Sequence, residues 1–315
     1  MSVFQKINKN VLICGIVKNC ASQIKKTIQH ALETLELFNN SKIIIYENNS
    51  TDGTKDILNE YAKMEHLQKN ITIISEDIDL NNKNNCVVWS YKEITGSDHP
   101  CRIEFISKAR NKVVEEFNKP EYNHFEYVIW IDFDSSNGWD KNGIIDSFNR
   151  NENWDALFGN NNGVYYDYYA LRYKEQVFGA EIIGEHFWNN ISYVNFQEKN
   201  CLIPVYSAFN GIGIYKKELF KKFKYDFLVN DEVKKFYRNI IKYNIIDSFK
   251  DDTIRIIENK CDKFPNGYKD ENTNIFWKSN SGYNMPIICE HVALNLSLFN
   301  NDYKLYINPK LIYHR

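Results

Sequence analysis

The stretch that decides the fold is YVIWIDFDSSNGWD, residues 127–140. A run of β-branched and aromatic residues ends in Asp132-Phe133-Asp134 and passes into Ser, Asn and Gly. A short apolar run bounded by turn formers reads as a strand covered on both faces. Two readings of the acids compete. Residues i and i+2 of an extended segment point the same way, so the two carboxylates converge, at a cost that a divalent cation removes. Alternatively, Asp132 ends the strand and Asp134 opens an Asx-turn with Ser135.

Working outward, the first half alternates strand and helix patterns. VLICGIV (11–17), KIIIYE (42–47) and ITIIS (71–75) read as strands. Residues 21–38 place Ile24, Ile28, Leu32 and Leu35 on one helical face. NNSTDGT (48–54) is a turn in which Thr51 or Asp52 is the expected cap of a helix burying Ile57, Leu58, Tyr61 and Met64. Residues 102–118 form a third helical pattern, with Ile106, Ala109, Val113 and Phe117 on one side. Such alternation predicts an α/β fold with a mostly parallel central sheet flanked by helices. Ligands bind such sheets beyond the carboxyl ends of the strands, where Asp132 and Asp134 fall.

The second half is less regular. WDALFGN (154–160) reads as a strand and YSAFNGIGIYKKELF (206–220) as strand, glycine turn and helix. A helical patch lies near 231–243, ICEHVALNLSLF (288–299) reads as a helix, and YKLYINPKLIYHR (303–315) as a terminal strand. Residues 161–204, rich in Tyr, Asn and Trp, predict a loop-rich region over the cleft. No repeat, low-complexity tract or linker interrupts the chain, so a single domain over 1–315 is expected.

Bulk properties narrow the function. With net charge −2 and pI about 6.4, the chain lacks the basic balance of a polyanion binder, and nucleic acid is not an expected partner. Cys14, Cys20, Cys86, Cys101, Cys201, Cys261 and Cys289 are odd in number and show no CxxC spacing, which predicts free thiols in a reducing compartment. MSVFQKINKN has no secretory apolar core, and no apolar run reaches membrane-spanning length, so the expected location is cytoplasmic.

Four motifs carry candidate chemistry. The acid pair is the first. YENNSTDGT (46–54) is the second: Glu47 and Asn48 at a strand tip can hydrogen-bond a nucleoside, or the segment is only a capped turn. Third, Arg110 lies in an apolar stretch of its helix and either reaches a diphosphate or snorkels to solvent. Fourth, Glu290 starts a helix, where a carboxylate is either a general base in a cleft or a charge favoured by the helix dipole. His314 closes the last strand, with His291 as an alternative histidine.

These blocks occur in one order: ICGIVKN, YENNSTDGT, ISKARNKV, YVIWIDFDSS, GIGIYKKELF and CEHVALNLSLFNNDYKLYINPKLIYHR. Together they resemble a GT-A-fold glycosyltransferase over nearly the whole chain. YENNSTDGT is similar to the DDGSTDGT loop of the large inverting sugar-transferase family, and the last block to its acidic, histidine-terminated ending. RIEFISKARN and YYDYYALR (165–172) are similar to the fungal capsule-associated mannosyltransferase family.

The resemblance implies a GT-A-type Rossmann-like fold, with 1–150 as the nucleotide-sugar-binding half and 151–315 as a loop-rich acceptor-binding half. It implies a hexosyl- or N-acetylhexosaminyltransferase using Mn2+ or Mg2+ and a UDP-sugar, with GDP-mannose second, to glycosylate a glycan, glycolipid or glycoprotein hydroxyl. Asp134 and His314 would hold the metal, with Asp132 as a further candidate. Gly15, Ile16, Val17, Glu47, Asn48, Arg110, Asp132 and Phe133 would border the nucleotide-sugar. Glu290 would be the acceptor base, although the usual second acid is here His291, and retaining relatives need no such base. One alternative is a sugar nucleotidyltransferase, against which CGIVKNCASQ has a single glycine. The other is a non-catalytic carbohydrate-binding protein with a degenerate fold.

Overall fold

The computed structural model describes residues 6–79, 82–90, 92–135, 137–191, 193–242, 251–260, 266–279 and 282–315; Cys261, and Ser136 of the opening stretch, lie outside them. The first half runs β1 (Ile7–Val17), α1 (Ala21–Leu35), β2 (Phe38–Asn48), α2 (Thr54–Lys63), β3 (Ile71–Glu76), α3 (Lys92–Thr95), α4 (Arg102–Phe117), β4 (Tyr127–Ile131) and α5 (Lys141–Asn149). Then come β5 (Ala156–Asn160), α6 (Ala180–Ile183), β6 (Ile203–Pro204), β7 (Ile212–Lys216), α7 (Asp231–Lys242) and α8 (Asp251–Glu258). A small hairpin of β8 (Tyr268–Lys269) and β9 (Phe276–Trp277) precedes α9 (Glu290–Phe299) and β10 (Leu305–Ile312).

One sheet, ordered β3-β2-β1-β4-β7-β5-β10-β6, passes through both halves of the chain. The pairs β1–β2, β2–β3, β1–β4 and β5–β10 are parallel, while β7 runs antiparallel between β4 and β5, and β6 is antiparallel to β10. This is the expected α/β fold.

The central parts of β1 and β2, and nearly all of β4, are apolar because both faces are covered there. Val11 and Ile13 of β1 join a core with Ile24 and Ile28 of α1, Leu58 of α2 and Ile144 of α5. Leu12 and Cys14, pointing the other way, join Val113 and Phe117 of α4, Tyr237 of α7 and Leu296 of α9. Burying each aliphatic side chain stabilises the fold by about 1.5–3 kcal/mol, so neither face can be polar.

Some local expectations change. Gly53, at φ +92°, is the residue preceding α2, in place of Thr51 or Asp52. Asp52 caps two elements instead: its carboxylate accepts from the Ala21 amide at the start of α1 (2.9 Å) and from the Thr54 amide (3.0 Å). Met64 is exposed, since α2 ends at Lys63 and the chain turns outward. In 206–220 the turn precedes the strand, at Asn210 (φ +61°) and Gly211 (φ +82°). A Cβ on Gly211 would meet the Tyr313 ring at 2.4 Å, so the close approach of the two segments requires glycine there.

Candidate active site

The carboxyl ends of β1, β2, β4, β5 and β10 open on one edge of the sheet, around a cavity of about 790 Å³. That volume suits an organic ligand of nucleotide-sugar size. β1 contributes Ile16, Val17 and then Lys18; β2 contributes Asn48; the segment after β4 contributes Asp132, Phe133, Asp134 and Ser135. Tyr166 and Asp167 follow β5, Arg110 comes from α4, and Glu290 and His291 begin α9.

Arg110 is the hub. Its Nε donates to Glu290 Oε1 at 3.1 Å and its Nη2 to Asp132 Oδ1 at 3.3 Å, with the residue only 3% exposed. The guanidinium carbon sits 5.3 Å from the Trp130 ring, 5.0 Å from Phe209 and 5.6 Å from Tyr225. Arginine suits such a place because its planar, weakly hydrated cation stacks on rings while forking to carboxylates. Burial works against the charge, but Glu290, Tyr225 and Asp132 together raise the Arg110 pKa above the ordinary arginine value. Arg110 Nη1 is buried and has no hydrogen-bond partner among the described residues.

Asp132 is pushed up to about 7 by burial, with Arg110 pulling down and Asp134, Asp167 and Glu290 pushing up. Its carbonyl accepts from the Tyr313 hydroxyl at 2.8 Å, and its amide donates to the Gly211 carbonyl at 2.9 Å. These bonds fix the strand end while the carboxylate faces the cavity. Asp134 is exposed at the cavity rim and has no ion-pair partner among the described residues. His291 stacks on Phe209 with ring centres 3.7 Å apart; its Nε2 lies 3.5 Å from Glu290 Oε1, and neither ring nitrogen has a hydrogen-bond partner among the described residues. Burial, helped by Arg110, holds its pKa well below the usual histidine value, so it is neutral at physiological pH.

Of the site residues named from sequence, Ile16, Val17, Asn48, Arg110, Asp132, Phe133, Asp134 and Glu290 line the cavity. Gly15, Glu47 and His314 are not among the lining residues. Gly15 lies under the Phe133 ring, where a Cβ would come within 2.1 Å of Cδ2. Glu47 is fully buried; it accepts from the Ser50 amide (2.8 Å) and the Ser75 hydroxyl (2.5 Å), which brace the loop after β2. His314 is held by its main chain, donating to the Gly138 carbonyl (2.8 Å) and accepting from the Ser135 hydroxyl (2.9 Å). Its neighbours Tyr313 and Arg315 line the cavity in its place.

Sequence reasoning did not single out Lys18, Arg315, Phe209 or Asp167. The signal for Asp167 was an acid placed among four tyrosines and an arginine in YYDYYALR. Lys18, Arg102 and Arg315 line the cavity with no carboxylate partner among the described residues.

A divalent cation is compatible with this donor set. Asp134 helps raise the Asp132 pKa, so the two acids repel, and a cation would relieve the repulsion. Among the described residues no group of three or more His, Cys, Asp and Glu forms a cage, so a cation here would complete its shell with ligand oxygens and water.

The family profile described as Cryptococcal mannosyltransferase 1 matches residues 10–241, well over half of the chain. The chain belongs to the Cryptococcal mannosyltransferase 1 family. The matched span contains Arg110, Asp132, Asp134 and Asp167 and ends before Glu290 and His314. No curated protein sequence is significantly similar to this member of the family. Among solved structures it is similar to S. aureus TarS 1–349 in complex with UDP, at 13% identity and TM-score 0.40, over 69% of this chain and 50% of that one. It is also similar to the mannosyltransferase PcManGT from Pyrobaculum calidifontis in complex with GDP-Man and Mn2+, at 12% identity and TM-score 0.40, over 70% of this chain and 48% of that one. This chain spans half or less of the length of those chains, and likeness at this TM-score carries nothing about ligands. No helix among the described residues is long and apolar enough to cross a membrane.

Proposed function

We propose that this chain is a metal-dependent glycosyltransferase that moves a sugar from a nucleotide-sugar to a hydroxyl of a glycan or glycoconjugate. The observation that carries the reading is the division of charge in the cavity. Arg110 is committed to Asp132 and Glu290, whereas Lys18, Arg102, Arg315 and Asp134 have no ion-pair partner among the described residues. Free cations beside a free carboxylate at the carboxyl edge of a sheet suit a diphosphate carrying a divalent ion. The family description supports a mannosyl donor, so GDP-mannose is the first to try and UDP-sugars the second.

In this reading Asp134, with Asp132 beside it, would hold Mn2+ or Mg2+, and the ion would neutralise the leaving diphosphate. Lys18, Arg102 and Arg315 would bind the diphosphate oxygens, and Ile16, Val17 and Asn48 would border the nucleoside. Glu290, whose Oε1 accepts from Arg110 Nε at 3.1 Å, would serve as Arg110's counter-ion.

The test is a donor panel of GDP-mannose and UDP-sugars, with and without Mn2+, read by thermal shift and by nucleotide release. Stabilisation by one nucleotide class, dependent on Mn2+, supports the proposal. Binding of saccharide without any nucleotide would support a non-catalytic carbohydrate-binding protein.

A further inference from the structure

The donor reading leaves Asp167 unused. It follows β5 and lines the cavity, yet no cation pairs with it among the described residues. Asp132 and Glu290 share Arg110, and Asp134 lies exposed at the strand end. Asp167 is instead held by main chain: Oδ2 accepts from the Asn210 amide at 3.1 Å and Oδ1 from the Ala170 amide at 3.3 Å. Each bond occupies one lone-pair direction and leaves others free.

The loop is rigid for a visible reason. Arg172, fully buried, donates from Nη1 to the Tyr169 carbonyl at 3.2 Å and from Nη2 to both oxygens of buried Glu181 at 3.0 and 3.1 Å. A side chain mounted on such a support keeps its position as a ligand arrives. Flanking Asp167, Tyr166 and Tyr169 also line the cavity. Tyrosine rings offer a flat apolar face for a sugar ring and a hydroxyl at its edge.

We propose that Asp167 receives the acceptor's proton, and that the acceptor hydroxyl belongs to a sugar ring lying against Tyr166 and Tyr169. The proposal rests on the glycosyl-transfer reading. The acceptor O–H proton passes to the Asp167 carboxylate, and the oxygen's electron pair forms the bond to the anomeric carbon. The bond from that carbon to the diphosphate oxygen breaks, and its pair leaves on the diphosphate. Burial raises the Asp167 pKa, with the Asn210 and Ala170 amides pulling down, which moves the carboxyl towards holding a proton.

The experiment compares wild type with Asp167→Asn and Asp167→Glu, using GDP-mannose, a UDP-sugar panel and Mn2+, with mannose or mannobiose as acceptor probe. Asp167→Asn keeps an oxygen for one of the two amides. The expected result is a lower melting temperature from the one amide left unpaired, unchanged nucleotide-sugar affinity, and transfer to the saccharide down about 100-fold or more. Asp167→Glu restores part of the rate. An Asp167→Asn protein that transfers within about threefold of wild type, or that loses nucleotide-sugar affinity along with transfer, overturns the assignment. A wild type that binds no nucleotide-sugar overturns the glycosyl-transfer reading itself, an outcome separate from an active wild type with an equally active variant.

Discussion

Arg110 Nε donates to Glu290 Oε1 at 3.1 Å, joining residues 180 apart in sequence, with both side chains almost wholly shielded from water. The same guanidinium reaches Asp132, so one cation ties α4 and the start of α9 to the end of β4. Removing it would strand two carboxylates. Arg110→Met is expected to lower stability by about 3–5 kcal/mol, measured by urea unfolding. Adding Glu290→Gln should recover part of the loss, because it removes one stranded charge. A single Arg110→Met within about 0.5 kcal/mol of wild type would show that the pairing is not maintained.

Asp134 distinguishes a metal site from a turn. Its side chain is exposed and makes no ion pair among the described residues, so Asp134→Ala should change stability by no more than about 0.5 kcal/mol. The same change should weaken Mn2+-dependent nucleotide-sugar binding by about tenfold or more, because such ions take only one or two protein carboxylates. Calorimetry with and without Mn2+ reads both effects, and unchanged affinity would return Asp134 to the role of a turn residue.

Gly15 should tolerate no side chain while Phe133 keeps its ring. Its Cβ would come within 2.1 Å of Phe133 Cδ2 and 3.0 Å of the Ile131 carbonyl. Gly15→Ala is expected to cost about 1–3 kcal/mol in urea unfolding, and Phe133→Leu in the same protein should restore part of it. Additive losses in the double variant would place the strain elsewhere.

His291 sets an acid limit on stability. Its native pKa lies well below the usual histidine value of about 6.5 because burial and Arg110 disfavour the imidazolium. As pH falls below 6.5 the unfolded chain therefore binds a proton that the native protein does not, and stability drops, by about 1.4 kcal/mol per pH unit where the difference is one full proton. His291→Phe keeps a ring against Phe209 and removes that component. The measurement is the urea midpoint of both proteins at about pH 7.5 and about pH 5, and wild type should lose more on acidification. Parallel losses would mean that the imidazole gains a proton without penalty in the fold.

Much of the chain's organisation was legible locally. Alternation of apolar runs with helical faces located β1, β2, β3 and β4, and the carboxyl-edge rule put Asp132 and Asp134 beside a ligand cavity. The same local view offered Asp52 as a cap, and its carboxylate does accept from the Thr54 amide at the start of α2, but it did not show that the carboxylate also accepts from the Ala21 amide 31 residues away. It also proposed Glu47 for a nucleoside, although the Ser50 amide and Ser75 hydroxyl occupy that carboxylate.

What the sequence by itself determined was the α/β class, the position of the acid pair at a strand end and the family-like order of blocks. Those follow from neighbouring residues, whose spacing carries period and turn chemistry along the chain. Only the tertiary structure decided which charges are committed and which are free: that Arg110 takes Asp132 and Glu290, that His291 is buried neutral, and that Asp167 faces the cavity without a cation. Pairing and desolvation depend on side chains brought together across the sheet, and no local pattern encodes those distances.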